Sequence, residues 1–190
     1  DHSYDLAGKR VASIGTGGSA IQYCPEIAPK VQQLYVFQRT AAWVIPRDTR
    51  TYGTGAKRRF ARHPWWRKLH RARLYWTNES RVWPIFHAGL SPLFEAFARF
   101  HLRRQVKDEE LARRLTPDYK IGCKRVLVSN VWYPMFNRPN VELVTDGIRE
   151  ITERGIVTSD GAEREVDCII LGTGFAVDPR IYMRNFPITG

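Results

Sequence analysis

Residues 9–20 read KRVASIGTGGSA, and this stretch decides the fold. A short apolar run, residues 11–14, predicts a buried strand that leads through a glycine-rich turn into a helix. The small residues follow the pattern G-x-G-x-x-A, which is typical of a dinucleotide-binding turn. Gly15 permits the tight turn, Gly17 lets the backbone approach a pyrophosphate, and Ala20 lets the helix lie close to the strand. The alternative is a turn that joins strand and helix without a ligand.

The next predicted strand, residues 34–37, completes a β-α-β unit of the length expected for a dinucleotide fold. An NAD site places Asp or Glu near the end of this strand, where it binds the ribose hydroxyls. Here Gln38, Arg39 and Thr40 follow instead. Because a guanidinium group matches phosphate oxygens through two parallel hydrogen bonds, Arg39 beside a hydroxyl favours a 2′-phosphate. This pattern predicts NADP(H) rather than NAD(H), the alternative being a surface arginine after a strand.

Length and composition are typical of a globular protein without disulfides. The 190 residues suit one domain, or one domain with a large insertion. Three cysteines without a C-x-x-C pair favour a reducing, cytoplasmic location and argue against a zinc or dithiol centre. The five histidines lack metal-ligand spacing, so no metal is predicted. No apolar run is long enough to form a transmembrane segment.

Positive charge is concentrated in the middle of the chain. The formal net charge is +11, and residues 47–125 contain 20 Lys and Arg against 7 Asp and Glu. The block at 57–73 has eight Lys or Arg and no acid, a composition that could neutralise nucleic-acid phosphates. It matches no recognition motif for nucleic acid. We therefore expect a solvated helix face or a surface that docks onto another domain, and no nucleic-acid partner.

The middle segment has helical periodicity between about residues 54 and 115. We expect breaks at 63–64 and at 91–92, where Ser91 would cap a helix with proline in its first turn. Apolar residues recur at helical spacing at Trp65, Leu69, Ala72 and Trp76. A second apolar face would comprise Leu93, Phe94, Phe97, Phe100 and His101. The elements predicted after this segment are a β-type run at 124–128, a strand at 141–144, a hairpin at 148–158 and a buried strand at 166–171.

These patterns predict an α/β fold, namely a Rossmann-like NADP-binding domain with a parallel sheet and a β-hairpin or meander, interrupted by an all-helical insertion. We assign residues 1–46 to the first part of the domain, 47–120 to the insertion and 121–175 to the second part. Residues 176–190 would lead into a further domain. Because the chain begins at Asp1 rather than methionine, we expect it to be a segment of a longer protein.

Lys124 and Arg125 lie where the insertion is expected to rejoin the sheet. Since ligands of open α/β sheets bind at strand ends, both cations could contact the cofactor or the reacting groups. A basic strand edge without a ligand explains them equally well. Cys123 beside them could have a lowered pKa, or it could be a small packing residue.

Several runs together resemble one family, the Baeyer–Villiger-type flavin monooxygenases. The matching runs are DLAGKRV at 5–11, GTGGSAIQ at 15–22, FQRT at 37–40, LTPDY at 115–119, GCKR at 122–125, YPMFNRPNV at 133–141 and LGTGF at 171–175. Their order and spacing match over nearly the whole chain. These enzymes use NADPH, FAD and O₂ to insert one oxygen atom beside a ketone carbonyl, which gives an ester or a lactone. The resemblance implies that this chain is the NADP-binding part of such an enzyme, works with the enzyme's own FAD domain and is inactive alone.

The resemblance also implies roles for individual residues. Those that would line the NADPH pyrophosphate are Gly15, Thr16, Gly17, Gly18, Ser19 and Gln22. Arg39, Thr40 and Lys124 would hold the 2′-phosphate. Arg125 would be the active-site arginine, which lies beside the flavin and stabilises the negative charge that develops there. Residues 172–174 would be the linker back to the FAD domain, and Gly172 stands where the family more often has alanine.

Two other functions fit the same residues. A flavin monooxygenase that oxygenates nitrogen or sulfur would have the same NADP site, and its products from amines and sulfides would distinguish it. A nucleotide-binding module without catalysis would also have this site.

Overall fold

The structure, a computed structural model, describes residues 4–48, 51–86 and 89–174, with the backbone only at 81–86. The chain divides into a sheet unit, Asp1–Thr40 with Arg138–Gly190, and a helical unit, Ala41–Asn137. The elements in chain order are β1 (Arg10–Ile14), α1 (Ala20–Ile27), β2 (Gln33–Phe37), β3 (Val44–Ile45), α2 (Thr54–Arg62), α3 (Pro64–Phe86), α4 (Ser91–Gln105), α5 (Glu109–Arg114), β4 (Leu127–Val128), α6 (Trp132–Met135), β5 (Val141–Val144), β6 (Ile148–Ile151), β7 (Gly155–Thr158), β8 (Glu163–Glu165) and β9 (Cys168–Leu171).

The centre of the sheet unit is β1, which pairs in parallel with β2 on one side and β9 on the other. β5 pairs in parallel with β2, so the strand order is β5-β2-β1-β9. Val11, Ala12, Leu34 and Val36 are fully buried in the two central strands, as expected for a parallel sheet covered on both faces. The predicted α/β fold with a parallel sheet is confirmed.

The strand predicted at 166–171 forms as β9, but it is only half-buried. Among the described strands β9 pairs with β1 alone, so it lies at an edge of the sheet. Leu171 at its end is 70% exposed. The predicted burial is therefore found in the central strand β1 but only in part in β9.

A three-stranded antiparallel meander, β6-β7-β8, follows β5 in the sheet unit. The predicted hairpin corresponds to its first two strands. Ile156 in the meander packs in one buried cluster with Ala12, Phe37 and Val144 of the parallel sheet. This cluster joins the two sheets of the unit through apolar contact.

The helical unit contains α2 to α6 and a short parallel pair, β3 with β4. Its core is formed by Trp43, Ile45, Ala98 and Ile121. Because Trp43 and Ile45 pack in this core, the unit begins at residue 41 rather than at 47, and it extends to 137 rather than to 120. The strand pair also means that the unit is not purely helical. Among the described residues, no helix is long and apolar enough to cross a membrane.

Three local predictions in the helical unit differ from the structure. Ser91 is the first residue of α4, and Leu90 occupies the N-cap position without a side-chain cap. Only 127–128 of the predicted run 124–128 forms a strand, because only these residues pair with β3. The predicted apolar face of α4 is divided, since His101 is buried whereas Leu93 and Phe100 are exposed.

An ion cluster fixes the beginning of β1 in the sheet unit. The Arg10 guanidinium donates to Asp167 at 3.0 Å and also pairs with Glu165. The Arg10 backbone N–H donates to the Asp167 carboxylate at 2.8 Å, and the Asp167 N–H donates to the Arg10 carbonyl at 2.8 Å. These bonds from Arg10 lower the pKa of the Asp167 carboxyl group.

We expect the midpoint of urea denaturation to fall as the pH is lowered through the carboxyl range, below about pH 4. The reason is that the folded-state pKa of Asp167 lies below its unfolded-state value, so its stabilising effect is present above the unfolded pKa and lost as the pH falls through the folded one. Asp167→Asn should weaken this acid dependence, and Glu26→Gln, which alters an exposed carboxylate, should leave it unchanged. Equal acid dependence in Asp167→Asn and the unsubstituted chain would contradict the assignment.

Candidate nucleotide-binding site

The glycine turn, residues 15–19, lies at the carboxyl end of β1. The Gly15 N–H donates to the Phe37 carbonyl at 3.0 Å, and the Gly172 N–H donates to the Ile14 carbonyl at 2.8 Å. The turn is therefore bracketed by the ends of β2 and β9. The chain continues from β1 to β2 on one side and returns as β9 on the other, so the strand order reverses here. Open α/β sheets bind ligands at this reversal point.

The structure explains two glycines of the turn in different ways. Gly15 has a φ of +110°, and a Cβ atom built on it would lie 2.4 Å from the Gly172 carbonyl oxygen. No other residue type fits there without moving the backbone. A Cβ atom on Gly17 would meet nothing within 4 Å. Gly17 therefore faces open space, which is the condition for close approach of a ligand to the backbone.

After Gly15, the backbone N–H groups of the turn have no acceptor among the described residues. Within the described part of the chain, no residue accepts a hydrogen bond from the N–H groups of residues 16–19. Ser19, the N-cap of α1, makes no side-chain capping bond either. The amino end of a helix carries partial positive charge, and adjacent free N–H groups form a site for anions. The geometry fits a pyrophosphate.

Side chains of the predicted site also order the turn. The Thr16 hydroxyl donates to the Thr40 carbonyl at 3.3 Å, which connects the turn to the segment after β2. The Gln22 amide donates to the Gly18 carbonyl at 2.7 Å. Arg39 is exposed, and no described residue binds its guanidinium group. The structure therefore brings Arg39 and Thr40 to the same edge of the sheet as the glycine turn.

A polar cluster lies beneath the turn, and the sequence did not predict it. The hydroxyl groups of Ser13 and Tyr23 are 2.8 Å apart, and the Cys24 thiol donates to the Ser13 oxygen at 3.3 Å. Burial raises the pKa of Cys24 to about 11, so its thiol stays neutral. A Cβ atom on Gly172 would lie 2.7 Å from the Tyr23 hydroxyl oxygen, which explains the glycine at this position.

Lys124 and Arg125 belong to the helical unit, in the segment before β4. Because β4 pairs with β3, these cations do not follow a strand of the four-stranded sheet, contrary to the expectation from the sequence. Both side chains are exposed, and the Lys124 ammonium group lies 4.7 Å from the centre of the Tyr119 ring. Cys123 is exposed too and is therefore not a packing residue.

Partly buried polar contacts hold this segment in place. The Trp43 indole N–H donates to the Tyr119 carbonyl at 2.9 Å, and the Ile121 N–H donates to a Glu95 carboxylate oxygen at 3.1 Å. Glu95 also pairs with Arg99 at 3.0 Å, and the Arg99 guanidinium lies 5.2 Å from the Trp43 ring centre. The backbone that presents the two cations is thus fixed by α4 and by the segment around β3.

Metal binding has no support in the described residues, where no group of three or more His, Cys, Asp or Glu side chains lies together. The candidate groups for a nucleotide are the backbone donors of the glycine turn and Arg39 in the sheet unit and, separately, Lys124 and Arg125 in the helical unit.

Comparison with known proteins confirms the resemblance seen in the sequence. No protein-family model matches the chain. A Baeyer–Villiger monooxygenase of Pseudomonas aeruginosa is 50% identical over 181 residues, which cover 94% of this chain and 34% of that enzyme. Among solved structures, cyclohexanone monooxygenase in an open form has a TM-score of 0.79 at 27% identity, covering 97% of this chain and 43% of that one. Oxidized steroid monooxygenase bound to NADP has a TM-score of 0.74 at 32% identity, covering 92% and 40%.

The chain is therefore homologous to one segment of these flavin monooxygenases. It spans about a third of the length of the curated relatives it matches.

We expect Gly172→Ala to lower the free energy of unfolding by about 1–3 kcal/mol, because the added methyl group meets the Tyr23 hydroxyl. Urea denaturation of Gly172→Ala, Tyr23→Phe and the double variant measures the coupling between the two positions. In the Tyr23→Phe background, which lacks that hydroxyl, the cost of Gly172→Ala should be smaller. Gly147→Ala is the control, since its nearest neighbour would be 3.8 Å away. An equal cost of Gly172→Ala in both backgrounds would exclude the contact as the cause.

Proposed function

We propose that this chain, homologous to about a third of a Baeyer–Villiger monooxygenase, is the NADP-binding part of such an enzyme. The observation that carries the proposal is that the N–H groups of residues 16–19, placed where the sheet order reverses, have no acceptor among the described residues. This arrangement matches the chemistry of a dinucleotide pyrophosphate.

The glycine turn would hold the pyrophosphate through backbone groups. Thr16, Gly17, Gly18 and Ser19 would donate their N–H groups to phosphate oxygens, while Gly15 sets the path of the turn. Gln22 would act mainly by fixing the Gly18 carbonyl, since its amide N–H₂ group already donates to that oxygen. Because the donors are oriented before the ligand arrives, binding requires little ordering of the turn.

The 2′-phosphate would be held by Arg39 with the Thr40 hydroxyl, and by Lys124 of the helical unit. Arg39 has no carboxylate partner among the described residues, so its charge is available to a ligand. Each charge-assisted hydrogen bond contributes about 1.5–3 kcal/mol. Such bonds exist only for NADP(H), and they are the physical reason for selectivity against NAD(H).

Arg125 would be the catalytic residue that this chain supplies. Its exposed guanidinium is a permanent cation, on a segment that Trp43 and Glu95 hold in place. A fixed cation beside developing negative charge lowers the barrier without reorganisation. When bound, NADPH supplies a hydride and FAD supplies the oxygen chemistry. In the whole enzyme the substrates would be a ketone and O₂.

The partner of this chain would be the FAD domain of its own protein. Names of relatives favour oxygen insertion beside a ketone over oxygenation of nitrogen or sulfur, since they include Baeyer–Villiger monooxygenases from two bacteria.

We also place the protein in the cytoplasm, a reducing compartment in which the free thiols of Cys24, Cys123 and Cys168 persist.

Calorimetric titration of the full-length protein with NADP⁺ and NAD⁺ tests the nucleotide site. Gly17→Ala should weaken both nucleotides, because a methyl group would occupy the open space beside the backbone donors. Arg39→Ala should weaken NADP⁺ by about ten- to hundredfold and leave NAD⁺ unchanged. The two variants therefore separate pyrophosphate binding from 2′-phosphate binding.

Arg149→Ala is the matched control for Arg39, because it removes an exposed arginine of the sheet unit that pairs with Glu150. It should leave both affinities unchanged. An unchanged preference for NADP⁺ in Arg39→Ala would exclude the 2′-phosphate assignment, and full NADP⁺ affinity in Gly17→Ala would exclude the turn as the pyrophosphate site.

Arg125→Ala in the full-length enzyme should lower ketone oxygenation about a hundredfold or more while NADPH binding stays measurable. Product from a cyclic ketone is quantified by gas chromatography, and NADPH affinity by titration. Arg104→Ala, an exposed arginine at the end of α4, serves as the control. Retained lactone formation in Arg125→Ala would remove this residue from the catalytic machinery.

A further inference from the structure

The helix α3 turns one face toward α2 and the preceding segment. Trp66, His70 and Leu74, spaced four residues apart, are half-buried on this face, and Glu79 is the other half-buried side chain among the described residues of α3. The His70 ring is hydrogen-bonded to the Tyr52 hydroxyl at 2.8 Å, and it lies 5.2 Å from the Phe60 ring of α2, measured between ring centres. These contacts determine which side of α3 faces the rest of the helical unit, and they attach α2 to α3.

The opposite side of α3 presents an apolar stripe to solvent. Its members are Trp65, Leu69, Ala72 and Trp76, which follow helical spacing. Trp65 is 62% exposed, Leu69 55% and Trp76 68%. The stripe extends about 16 Å along the helix axis. Surface helices normally turn their apolar stripe to a core, so an outward stripe with two tryptophans indicates a surface that binds something.

The same part of the chain is rich in basic residues. The eight basic residues of α2 and the first half of α3 are Lys57, Arg58, Arg59, Arg62, Arg67, Lys68, Arg71 and Arg73. Within the described part of the chain, no carboxylate pairs with any of them. Arginines elsewhere, such as Arg10, Arg99 and Arg164, do have carboxylate partners. The charge of this region is therefore available to an anionic partner.

Helical geometry places cations on both sides of the stripe. At 100° per residue, Lys68 lies about 40° from Ala72 on one flank, and Arg73 lies about 40° from Leu69 on the other. Long basic side chains extend their charge past an apolar surface while their stems cover it. The stripe and its flanks can therefore contact an apolar layer and an anionic layer at the same time.

We propose that the apolar stripe of α3 and the cations that flank it dock this protein on an anionic membrane surface, with the stripe inserted at the headgroup level. Tryptophan together with Lys and Arg around a narrow apolar stripe is the pattern of a helix that lies in a membrane interface. Tryptophan and arginine are enriched in both kinds of interface, but protein interfaces are depleted in lysine, so Lys68 on the flank favours the membrane over a protein partner. The proposal does not depend on the nucleotide site.

Sedimentation of the full-length protein with sucrose-loaded vesicles tests this proposal. One vesicle preparation contains phosphatidylcholine alone, and the other contains equal parts of phosphatidylcholine and phosphatidylglycerol. We expect binding to the anionic vesicles, little binding to the neutral ones, and a loss of binding as the salt concentration rises.

Two sets of variants separate the apolar and charged contributions. Lys68→Ala and Arg73→Ala should each lower vesicle affinity about fivefold. Trp65→Ala combined with Trp76→Ala should lower it about tenfold or more, because the inserted apolar area is lost. Phe100→Ala on α4, which removes an aromatic ring that is 62% exposed, should leave affinity unchanged. Thermal denaturation checks that each variant is folded.

Absence of binding by the full-length protein would overturn the proposal, since the face would then be covered by the rest of the protein or be merely solvated. Binding that the variants do not weaken would also overturn it. Tight, salt-dependent binding to a DNA oligonucleotide without vesicle binding would assign the face to nucleic acid instead. If a tryptophan variant is unfolded, the tryptophan fluorescence of the unsubstituted protein is measured with vesicles that contain brominated lipid. Quenching is expected when the stripe is inserted, and no quenching would overturn the proposal.

Discussion

The close approach of two backbone turns is the constraint on which the nucleotide site depends. Gly15 and Gly172 end neighbouring parallel strands, and a Cβ atom on Gly15 would lie 2.4 Å from the Gly172 carbonyl oxygen. With no side chain between them, β1 and β9 can pair up to their ends. The N–H groups of residues 16–19 are then left without an acceptor among the described residues. Beneath this contact, the hydroxyl groups of Ser13 and Tyr23 are hydrogen-bonded to each other.

The groups proposed to bind the cofactor are of two kinds, backbone N–H groups and side chains. In the sheet unit the proposed donors are the backbone groups of residues 16–19, whose direction is fixed by the strand, the turn and the start of α1, together with the side chains of Arg39 and Thr40. In the helical unit they are the side chains of Lys124 and Arg125, on a segment anchored by Trp43 and Glu95. Backbone donors bind any pyrophosphate, whereas long cationic side chains select a ligand by its charge. In the proposed function, selectivity for NADP(H) would therefore depend on side chains such as Arg39.

The basic residues fall into two groups, those that form ion pairs within the fold and those without a described carboxylate partner. Arg10 joins the start of β1 to Asp167, and Arg164 pairs with Glu142 at 2.8 Å. In contrast, the basic block at 57–73 has no described carboxylate partner and borders an exposed apolar stripe. Structural arginines thus lie near acids in the fold, and the net charge of +11 comes largely from helices whose outer face is open.

The sequence by itself determined the β-α-β unit, the glycine turn and the position of Arg39 after β2, because local periodicity and backbone requirements specify these features. Only the tertiary structure decided that Gly172 meets Gly15, that β4 pairs with β3, and that the stripe beginning at Trp65 faces outward. Each of these depends on contacts between residues distant in sequence or on which face of a helix is covered. Hydrophobic spacing identifies an apolar face, but it does not tell what covers that face.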